Sequence, residues 1–406
     1  MSERAKKILI VVLFIGSVIG IAIALYFAFF RAAVVPETPG TQIPTGSLPG
    51  SDLAGERPIP PTSTGGGGTE GLGEPVARGG VTQTTILTTG PVSDISVSSN
   101  GADANFYNPD DGKFYTIDAD GNLVELSAAT FPDAEDVQWN KDGDKAVIEF
   151  PDGSNVVYNF ASQTQVTLPK HWEDFEFSPV TDEIIAKSMG LDPNNRWLVV
   201  SNDDGSRVDA IQALGSNADK VTVSWSPNDQ VVAFSDTADR ISGGLDHKMI
   251  LPLGKEHENY PGLIIEGLDF NPLWAPDGKH LMYSVVGDIS DNKPALWVVD
   301  ATPASMGDNR RSLGLNTWAD KCTFASASLA YCAVPQGLSP NQGLMRSLVE
   351  NLPDNLYKID LTSGKTSLSA IPATNTTMEQ LSVTSDGSLL YFVNGKTGKL
   401  ESIRLQ

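Results

Sequence analysis

The chain has 406 residues, enough for one large domain or two smaller ones beyond an N-terminal region that does not read as globular. Its formal net charge is −22, and residues 81–406 carry all of it, because residues 1–35 sum to +3 and residues 36–80 to −3. A domain this acidic repels nucleic-acid phosphates and anionic lipid headgroups, which excludes both as expected partners of the domain.

The first predicted element is a transmembrane helix over residues 8–30, preceded by a short cytoplasmic tail of residues 1–7. These 23 residues carry no charge. At 1.5 Å per residue they span roughly 34 Å, enough to cross a hydrocarbon core of about 30 Å. A cleaved secretory signal is the competing interpretation. Its apolar run is normally about 7–15 residues and ends in small residues, whereas Phe29, Phe30 and Arg31 stand here.

The orientation of this helix follows from its flanking charges. Arg4, Lys6 and Lys7 lie before it and a lone Arg31 lies after it. The positive-inside rule then keeps the N-terminus in the cytoplasm and exports the rest of the chain. We therefore expect a single-pass protein of the inner or plasma membrane whose large domain is periplasmic or extracellular, and whose membrane contact is through residues 8–30 only.

Residues 31–80 are predicted to be a disordered linker. Between residues 36 and 80 there are 8 prolines, 12 glycines and no aromatic residue. Such a composition buries too little apolar surface to repay the entropy of ordering. As a random coil this segment reaches on the order of 40 Å from the membrane, which suits a passive tether better than a recognition motif.

One pattern then recurs along the rest of the chain: a short strand ends in an aromatic or aliphatic residue, a polar turn follows, and an apolar strand comes next. The two clearest copies begin at Trp225 (Trp-Ser-Pro-Asn-Asp) and Trp274 (Trp-Ala-Pro-Asp-Gly). Weaker copies begin at Val97, Trp139, Phe177, Phe324 and Val383. The successive spacings are 42, 38, 48, 49, 50 and 59 residues.

A period of about 40–50 residues with four short strands per unit is the signature of β-propeller blades. Asp-Gly and Asn-Gly supply the positive φ of tight hairpin turns, and the aromatic residue before the turn is large enough to fill the wedge between two blades. The sequence therefore predicts an all-β fold over residues 81–406, a seven-bladed β-propeller of four-stranded antiparallel blades.

The last blade shows only three strands before the chain ends, near residues 380–383, 389–393 and 400–405. An unpaired edge is a liability, so a fourth strand is expected from elsewhere. Residues 81–89, Val-Thr-Gln-Thr-Thr-Ile-Leu-Thr-Thr, are rich in β-branched residues. We expect this segment to close the last blade by pairing outside residues 400–405.

The two copies at 225–234 and 274–283 resemble the WD40-like repeat of TolB-like propellers, and so do the third-strand phrases Phe114–Gly121 and Leu356–Gly364. The resemblance covers about residues 91–405 and implies the propeller fold. The family contains periplasmic protein-binding modules and the propeller caps of prolyl-oligopeptidase-type enzymes. Neither a preceding helical domain nor a following α/β-hydrolase domain is recognisable here, so the resemblance assigns the chain to neither group.

A search for catalytic and metal-binding motifs gives no candidates. No Gly-x-Ser-x-Gly nucleophile motif occurs, and the histidines 171, 247, 257 and 280 have no zinc-site spacing. The turn that starts at Asp118 resembles a calcium loop, but its twelfth position is Ala129 instead of an acid. We therefore expect no cofactor, no metal and no catalytic residue.

Cys322 and Cys332 flank the turn of the sixth blade's first hairpin. Antiparallel pairing about Ala327 places them opposite each other, at a separation that a disulfide accepts. Export from the cytoplasm favours oxidation. The sequence therefore favours a disulfide over two buried thiols.

Two blades carry long insertions, at residues 237–267 in the fourth and 335–354 in the sixth. In the second of these, residues 342–351 are predicted to form a short helix. Because insertions between second and third strands emerge on one face of a propeller, we expect that face to bind a partner through His257, Tyr260, Met345 and Leu348. Neutral loop growth is the alternative.

The function that best fits these features is a non-enzymatic protein-interaction or scaffold module of the bacterial cell envelope. A protein is the expected partner, with a glycan as the second candidate, and no oligomeric state is indicated. The alternative is a lyase or hydrolase that uses the central cavity, since propellers host many functions. Histidine, arginine and carboxylates clustered on the axis would favour the enzyme, and a merely acidic or apolar axis would favour the binder.

Overall fold

The computed structural model describes residues 73–239, 241 and 247–406. The predicted transmembrane helix, and the linker as far as residue 72, lie outside the described residues. Among those described, no helix is both long enough and apolar enough to cross a membrane.

Seven β-sheets succeed one another along the described chain, each a propeller blade of four antiparallel strands, to one of which a fifth strand is added. The two N-terminal strands and those of the first three blades are β1 (Gly80–Thr82), β2 (Thr85–Ile86), β3 (Ser93–Val97), β4 (Ala104–Asn108), β5 (Lys113–Ile117), β6 (Leu123–Glu125), β7 (Asp136–Trp139), β8 (Lys145–Glu149), β9 (Asn155–Asn159), β10 (Thr164–Leu168), β11 (Trp172–Phe177), β12 (Glu183–Met189), β13 (Arg196–Asn202) and β14 (Asp209–Ala213).

The remaining strands belong to blades four to seven. They are β15 (Val221–Val223), β16 (Val231–Ser235), β17 (His247–Gly254), β18 (Leu263–Glu266), β19 (Leu268–Trp274), β20 (His280–Val286), β21 (Pro294–Asp300), β22 (Arg311–Ser312), β23 (Cys322–Ser326), β24 (Leu329–Pro335), β25 (Asp354–Asp360), β26 (Lys365–Pro372), β27 (Met378–Val383), β28 (Leu389–Asn394) and β29 (Leu400–Arg404). The short 3-10 helices are Pro193–Asn195, Gly215–Lys220, Asp288–Ser290, Ala319–Lys321 and Arg346–Leu348.

The recurring sequence motif forms the turn between the first and second strands of a blade. At Trp274 the turn is closed by a hydrogen bond from the Gly278 amide to the Ala275 carbonyl at 2.9 Å. Gly278 has φ of +62°, a conformation that glycine adopts without strain. At the Trp225 copy, Asp229 takes the same role with φ of +61°.

The hydrophobic core lies between blades, where the motif aromatics pack. Trp274 of blade five stacks on Phe234 of blade four, with ring centroids 5.7 Å apart. Trp139 of blade two meets Phe114 of blade one edge to face at 5.5 Å. Large rings fill the wedge that opens between two radially arranged sheets.

The N-terminal strands close the ring across two blades. Thr85 and Ile86 of β2 pair antiparallel with Ser402 and Glu401 of the last blade. Strand β1 instead pairs parallel with residues 370–372 of the sixth blade, which becomes a five-stranded sheet. The segment expected as one strand over 81–89 is therefore two short strands on two blades.

Residues 73–80, assigned to the linker from their composition, lie against the propeller. Ala77 donates its amide hydrogen to the Arg404 carbonyl at 2.8 Å, and Gly79 donates to the Ser369 carbonyl at 2.7 Å. The ordered domain thus begins at least eight residues before the predicted boundary. Backbone hydrogen bonds, which composition does not report, hold this glycine-rich stretch.

Candidate functional site

The two ends of the propeller ring carry different connections between strands. Within each blade the first strand is innermost and neighbouring strands run antiparallel. The connections from second to third strands therefore lie at the same end as those from one blade to the next. We call this end the insertion end, because residues 336–353, the blade-six insertion, join β24 to β25 there. Connections from first to second and from third to fourth strands lie at the opposite end.

At the insertion end, a carboxylate lies at or just before the start of each of the seven innermost strands. We call this set the acidic mouth; it consists of Asp94, Asp136, Asp174, Asp219, Asp269, Asp320 and Glu379. Sequence reasoning missed it. The available signal was an acid at the second or third position of several innermost strands, as in Ser-Asp-Ile-Ser-Val at 93–97 and Leu-Asp-Phe-Asn at 268–271.

Four of these innermost strands contain a β-bulge at the mouth, in blades one, three, five and seven. The bulges hold Asp94, Asp174, Asp269 and Gln380 at φ between +49° and +57°. Aspartate tolerates this left-handed conformation better than most residues. A bulge also changes the direction of a side chain relative to a regular strand, and bulges are frequent beside functional sites.

A cavity of about 750 Å³ lies beside the mouth, lined by residues of blades two to five that include Asp136, Glu149, Asp174, Glu176 and Asp219. Burial, reinforced by the charge of Asp136, raises the pKa of Glu149 to about 7. Burial raises the pKa of Glu176 to about 7, although the Trp225 amide donates to its Oε2 at 2.8 Å. Neighbouring carboxylates therefore repel one another in partly dehydrated surroundings.

The carboxylates of the neighbouring blades show the same effect. Burial, with a contribution from Asp136, raises the pKa of Asp94 to about 6. Burial and the charge of Asp320 raise the pKa of Asp269 above its usual value. The mouth is thus a surface of unfavourable negative potential, which a cation would relieve.

Within the described residues, two cationic side chains form ion pairs with carboxylates of the acidic mouth. The Nζ of Lys187, a buried side chain on β12, lies 2.5 Å from Asp174. The guanidinium of Arg346, from the blade-six insertion, lies 2.6 Å from Asp320 and 5.1 Å from the centre of the Trp318 ring. Asn271 also donates to Asp320, at 2.8 Å.

The blade-six insertion is fixed to the ring on both sides. The amides of Asn341 and Gly343 donate to the carbonyls of Asp291 and Asn292, both at 2.9 Å, in the neighbouring connection of blade five. Thr377 of blade seven donates its hydroxyl to the Leu352 carbonyl at 3.0 Å. The predicted helix over 342–351 is wrong in extent, since only Arg346–Leu348 forms one turn of 3-10 helix.

This fixed insertion presents apolar side chains to solvent. Leu344, Met345 and Leu348 are 55%, 53% and 71% exposed. Ile289 and Leu191, in two further second-to-third-strand connections, are exposed at the same end. Of the seven large exposed apolar residues in loops, only Val180 and Val208 lie at the opposite end. The insertion end is therefore the more apolar end as well as the end with the acidic mouth.

The structure does not bring the four predicted partner-binding residues together. Met345 and Leu348 lie at the insertion end, whereas His257 and Tyr260 lie in the connection from β17 to β18, at the opposite end. The correction follows from strand polarity: the fourth-blade insertion was expected between the second and third strands, but His257 and Tyr260 follow the third strand, β17. His257 Nδ1 is 2.9 Å from the Ile211 carbonyl oxygen, and Tyr260 lines a cavity of about 430 Å³ between blades three and four.

None of the four histidines is among the residues that line the cavity of about 750 Å³ beside the mouth. His280 lies at the opposite end, with its Nδ1 3.3 Å from Asp277 and its Nε2 3.8 Å from Asp300. Across the described ranges no group of three or more His, Cys, Asp or Glu side chains is placed to hold a metal ion.

Cys322 and Cys332 form a disulfide with an S–S distance of 2.06 Å, as the sequence predicted. They are direct partners in the antiparallel pairing of β23 with β24. Both lie in the core cluster between blades five and six. The bond is thus a structural crosslink within one hairpin.

Comparison with solved structures places this fold among known propellers. An oligogalacturonate lyase in complex with manganese matches with 14% identity and a TM-score of 0.56, over 80% of this chain and 93% of its own. The β-propeller domain of Cps50 (Swd1) from Myceliophteria thermophila matches with 11% identity and a TM-score of 0.53, over 80% of this chain and all of its own. TolB from Acinetobacter baumannii matches with 10% identity and a TM-score of 0.44, over 71% of this chain and 66% of its own.

No protein-family model matches the sequence, and no curated protein matches it. At these identities the structural likenesses show the fold alone. The seven-bladed propeller implied by the TolB-like and WD40-like resemblance is confirmed.

Proposed function

We propose that the chain is a membrane-anchored, extracytoplasmic propeller that acts as a non-enzymatic protein-interaction or scaffold module of the bacterial cell envelope. One observation carries the proposal: the insertion end combines a fixed loop bearing Leu344, Met345 and Leu348 with an adjacent acidic mouth. Exposed apolar side chains clustered on one face are typical of protein-binding surfaces. Hydrogen bonds to blades five and seven hold the loop, so binding costs little ordering entropy.

The composition of the axis supports a binder over an enzyme that uses the central cavity. An enzyme that uses the central cavity would be favoured by histidine and arginine clustered with the carboxylates on the axis. The cavity lining instead offers carboxylates with Lys187, which Asp174 already neutralises. The oligogalacturonate lyase shares the fold with this chain, and fold alone does not transfer an activity.

The envelope location in this proposal rests on the sequence. The uncharged run of residues 8–30, the basic residues before it and the linker after it favour an anchored, exported propeller. The Cys322–Cys332 disulfide agrees with an oxidising compartment. Protease accessibility in spheroplasts tests the topology: the propeller should be cleaved by protease added outside the cytoplasmic membrane, and a propeller that is protected until this membrane is lysed would contradict export.

The interaction role is tested by comparative co-purification of the full chain from its native membranes. A triple variant, Leu344→Ser, Met345→Ser and Leu348→Ser, removes the exposed apolar side chains without touching the buried core. The matched control is Val180→Ser with Val208→Ser at the opposite end. We expect one set of partner proteins to be lost from the triple variant and kept by the control. Identical partner sets for all three proteins would contradict the proposal.

A further inference from the structure

We infer that the insertion end binds a partner protein segment that combines Lys or Arg with bulky apolar residues. This inference rests on the proposed function and adds the chemistry of the partner. Two separate features of the described residues lead to it, the apolar side chains of the blade-six insertion and the electrostatics of the acidic mouth.

The apolar half of the partner follows from Leu344, Met345 and Leu348. Each is more than half exposed, while Val349 beside them is buried and anchors the loop. The methionine side chain adapts to apolar partners of varied shape. Covering them contributes favourable free energy only if the partner brings apolar surface of its own.

The basic half of the partner follows from Arg346, which shows how the mouth receives a guanidinium. Its terminal nitrogen meets the Asp320 carboxylate at 2.6 Å, and its planar group lies over the Trp318 ring at 5.1 Å. An ion pair combined with a stacked aromatic ring is the arrangement that arginine favours in recognition sites. The mouth carboxylate of blade six is therefore already paired with a cation of the chain itself.

The corresponding carboxylates of the other blades are mostly unpaired. Apart from Asp174 with Lys187 and Asp320 with Arg346, the mouth carboxylates have no ion pair within the described ranges. The unpaired ones are Asp94, Asp136, Asp219, Asp269 and Glu379. A partner without cations would dehydrate them at a cost, whereas Lys or Arg side chains would compensate them.

The two halves lie side by side, because Arg346 belongs to the insertion and its ion pair joins the insertion to the mouth. One segment therefore contacts both. A second copy of this chain is a poor occupant: its formal charge of −22 makes two insertion ends repel each other.

Selection from a random peptide library on the full chain in lipid nanodiscs tests the inference. We expect enriched peptides with net positive charge and at least two bulky apolar residues. Their affinity should fall about tenfold or more with Leu348→Ser, and likewise with the pair Asp94→Asn and Asp136→Asn. It should also weaken as ionic strength rises from about 0.05 to about 0.5 M. Val180→Ser and Asp120→Asn, at the opposite end, serve as matched controls and should leave it unchanged.

Enrichment of acidic or neutral peptides, no enrichment at all, or peptides insensitive to Leu348→Ser would overturn the inference, and so would a self-association that consumes the same surface. The outcome is distinguishable from failure of the proposed function. If co-purification yields partners that depend on the insertion but contact it through a segment without Lys or Arg, only the inference fails. If no partner depends on the insertion, the proposed function fails.

Discussion

Arg346 and Asp320 are joined by an ion pair at 2.6 Å, which links the blade-six insertion to the start of that blade's innermost strand. Asp320 belongs to the connection that leads into the innermost strand of blade six, and Arg346 to the one turn of helix in the insertion. The pair therefore connects the exposed apolar side chains with the acidic mouth.

Replacing Arg346 should loosen the insertion without unfolding the ring. Both side chains are about two-fifths exposed, so Arg346→Gln should change the free energy of unfolding by less than about 1 kcal/mol. Hydrogen exchange of residues 339–352 should become faster, because opening of the insertion no longer costs the free energy of breaking the ion pair. Lys113→Gln, which breaks an exposed pair with Glu125 elsewhere, is the control. Unchanged exchange in the insertion would show that its backbone hydrogen bonds suffice.

Lys321 and Asp354 form a buried ion pair whose loss should be costly. Their side chains are 6% and 0% exposed, and the Nζ to Oδ2 distance is 2.8 Å. Lys321→Met leaves a buried charge without its partner, which should lower the free energy of unfolding by about 3–5 kcal/mol. Adding Asp354→Leu should recover part of this loss. Recovery will be incomplete because the Met378 amide, which donates to Asp354 at 2.7 Å, then loses its acceptor. A loss below about 1 kcal/mol for Lys321→Met would contradict the burial of the pair.

The stability of the propeller should decrease as pH rises from about 5.5 to about 8. The pKa of Asp94 is raised to about 6, and those of Glu149 and Glu176 to about 7. Because these folded-state pKa values exceed the usual ones, the folded state binds more protons than the unfolded state between the two values, and the stabilisation is lost as pH rises through 6 and 7. Denaturant unfolding across this range measures the effect.

Two substitutions isolate the contribution of Glu149 and Glu176 to the pH dependence of stability. Glu149→Gln with Glu176→Gln removes the titrating groups, so the free energy of unfolding should rise at pH 8 and its pH dependence should flatten. Asp120→Asn, at an exposed turn, should leave the profile as it is. A wild-type stability that stays constant or increases between pH 6 and 8 would contradict the raised pKa values.

Much of the fold could be predicted from the sequence because a propeller repeats itself. The Trp225 and Trp274 motifs each specify a turn and an interblade ring, and the spacing of seven such positions predicts the number of blades. The cysteine pairing was predictable for a local reason: Cys322 and Cys332 sit symmetrically about one turn.

The candidate site was less predictable because it depends on how separate blades meet. A carboxylate such as Asp269 looks like any other acid in a chain that contains 50 of them. Its significance appears only when seven innermost strands converge on one axis. The placement of His257 on the same face as Met345 was wrong because the fourth-blade insertion was taken to lie between the second and third strands, whereas His257 follows the third strand, β17.

Removing the disulfide should destabilise the sixth blade. The bond closes a loop of ten residues, so Cys322→Ala with Cys332→Ala should lower the free energy of unfolding by about 2–3 kcal/mol. Wild-type protein under reducing conditions should show a similar loss, and the variant should not respond to reductant. Mass spectrometry after alkylation gives the direct check: two alkylated cysteines without reductant would contradict the disulfide.

Photo-crosslinking from Leu348 in native membranes tests the central claim most directly. A photoreactive amino acid at this exposed position should form covalent adducts with one protein partner, and the same probe at Val180, which is similarly exposed at the opposite end, should not. We expect this adduct to disappear when Leu344 and Met345 are also replaced by serine. Adducts of equal yield from both positions, or none from Leu348, would contradict it.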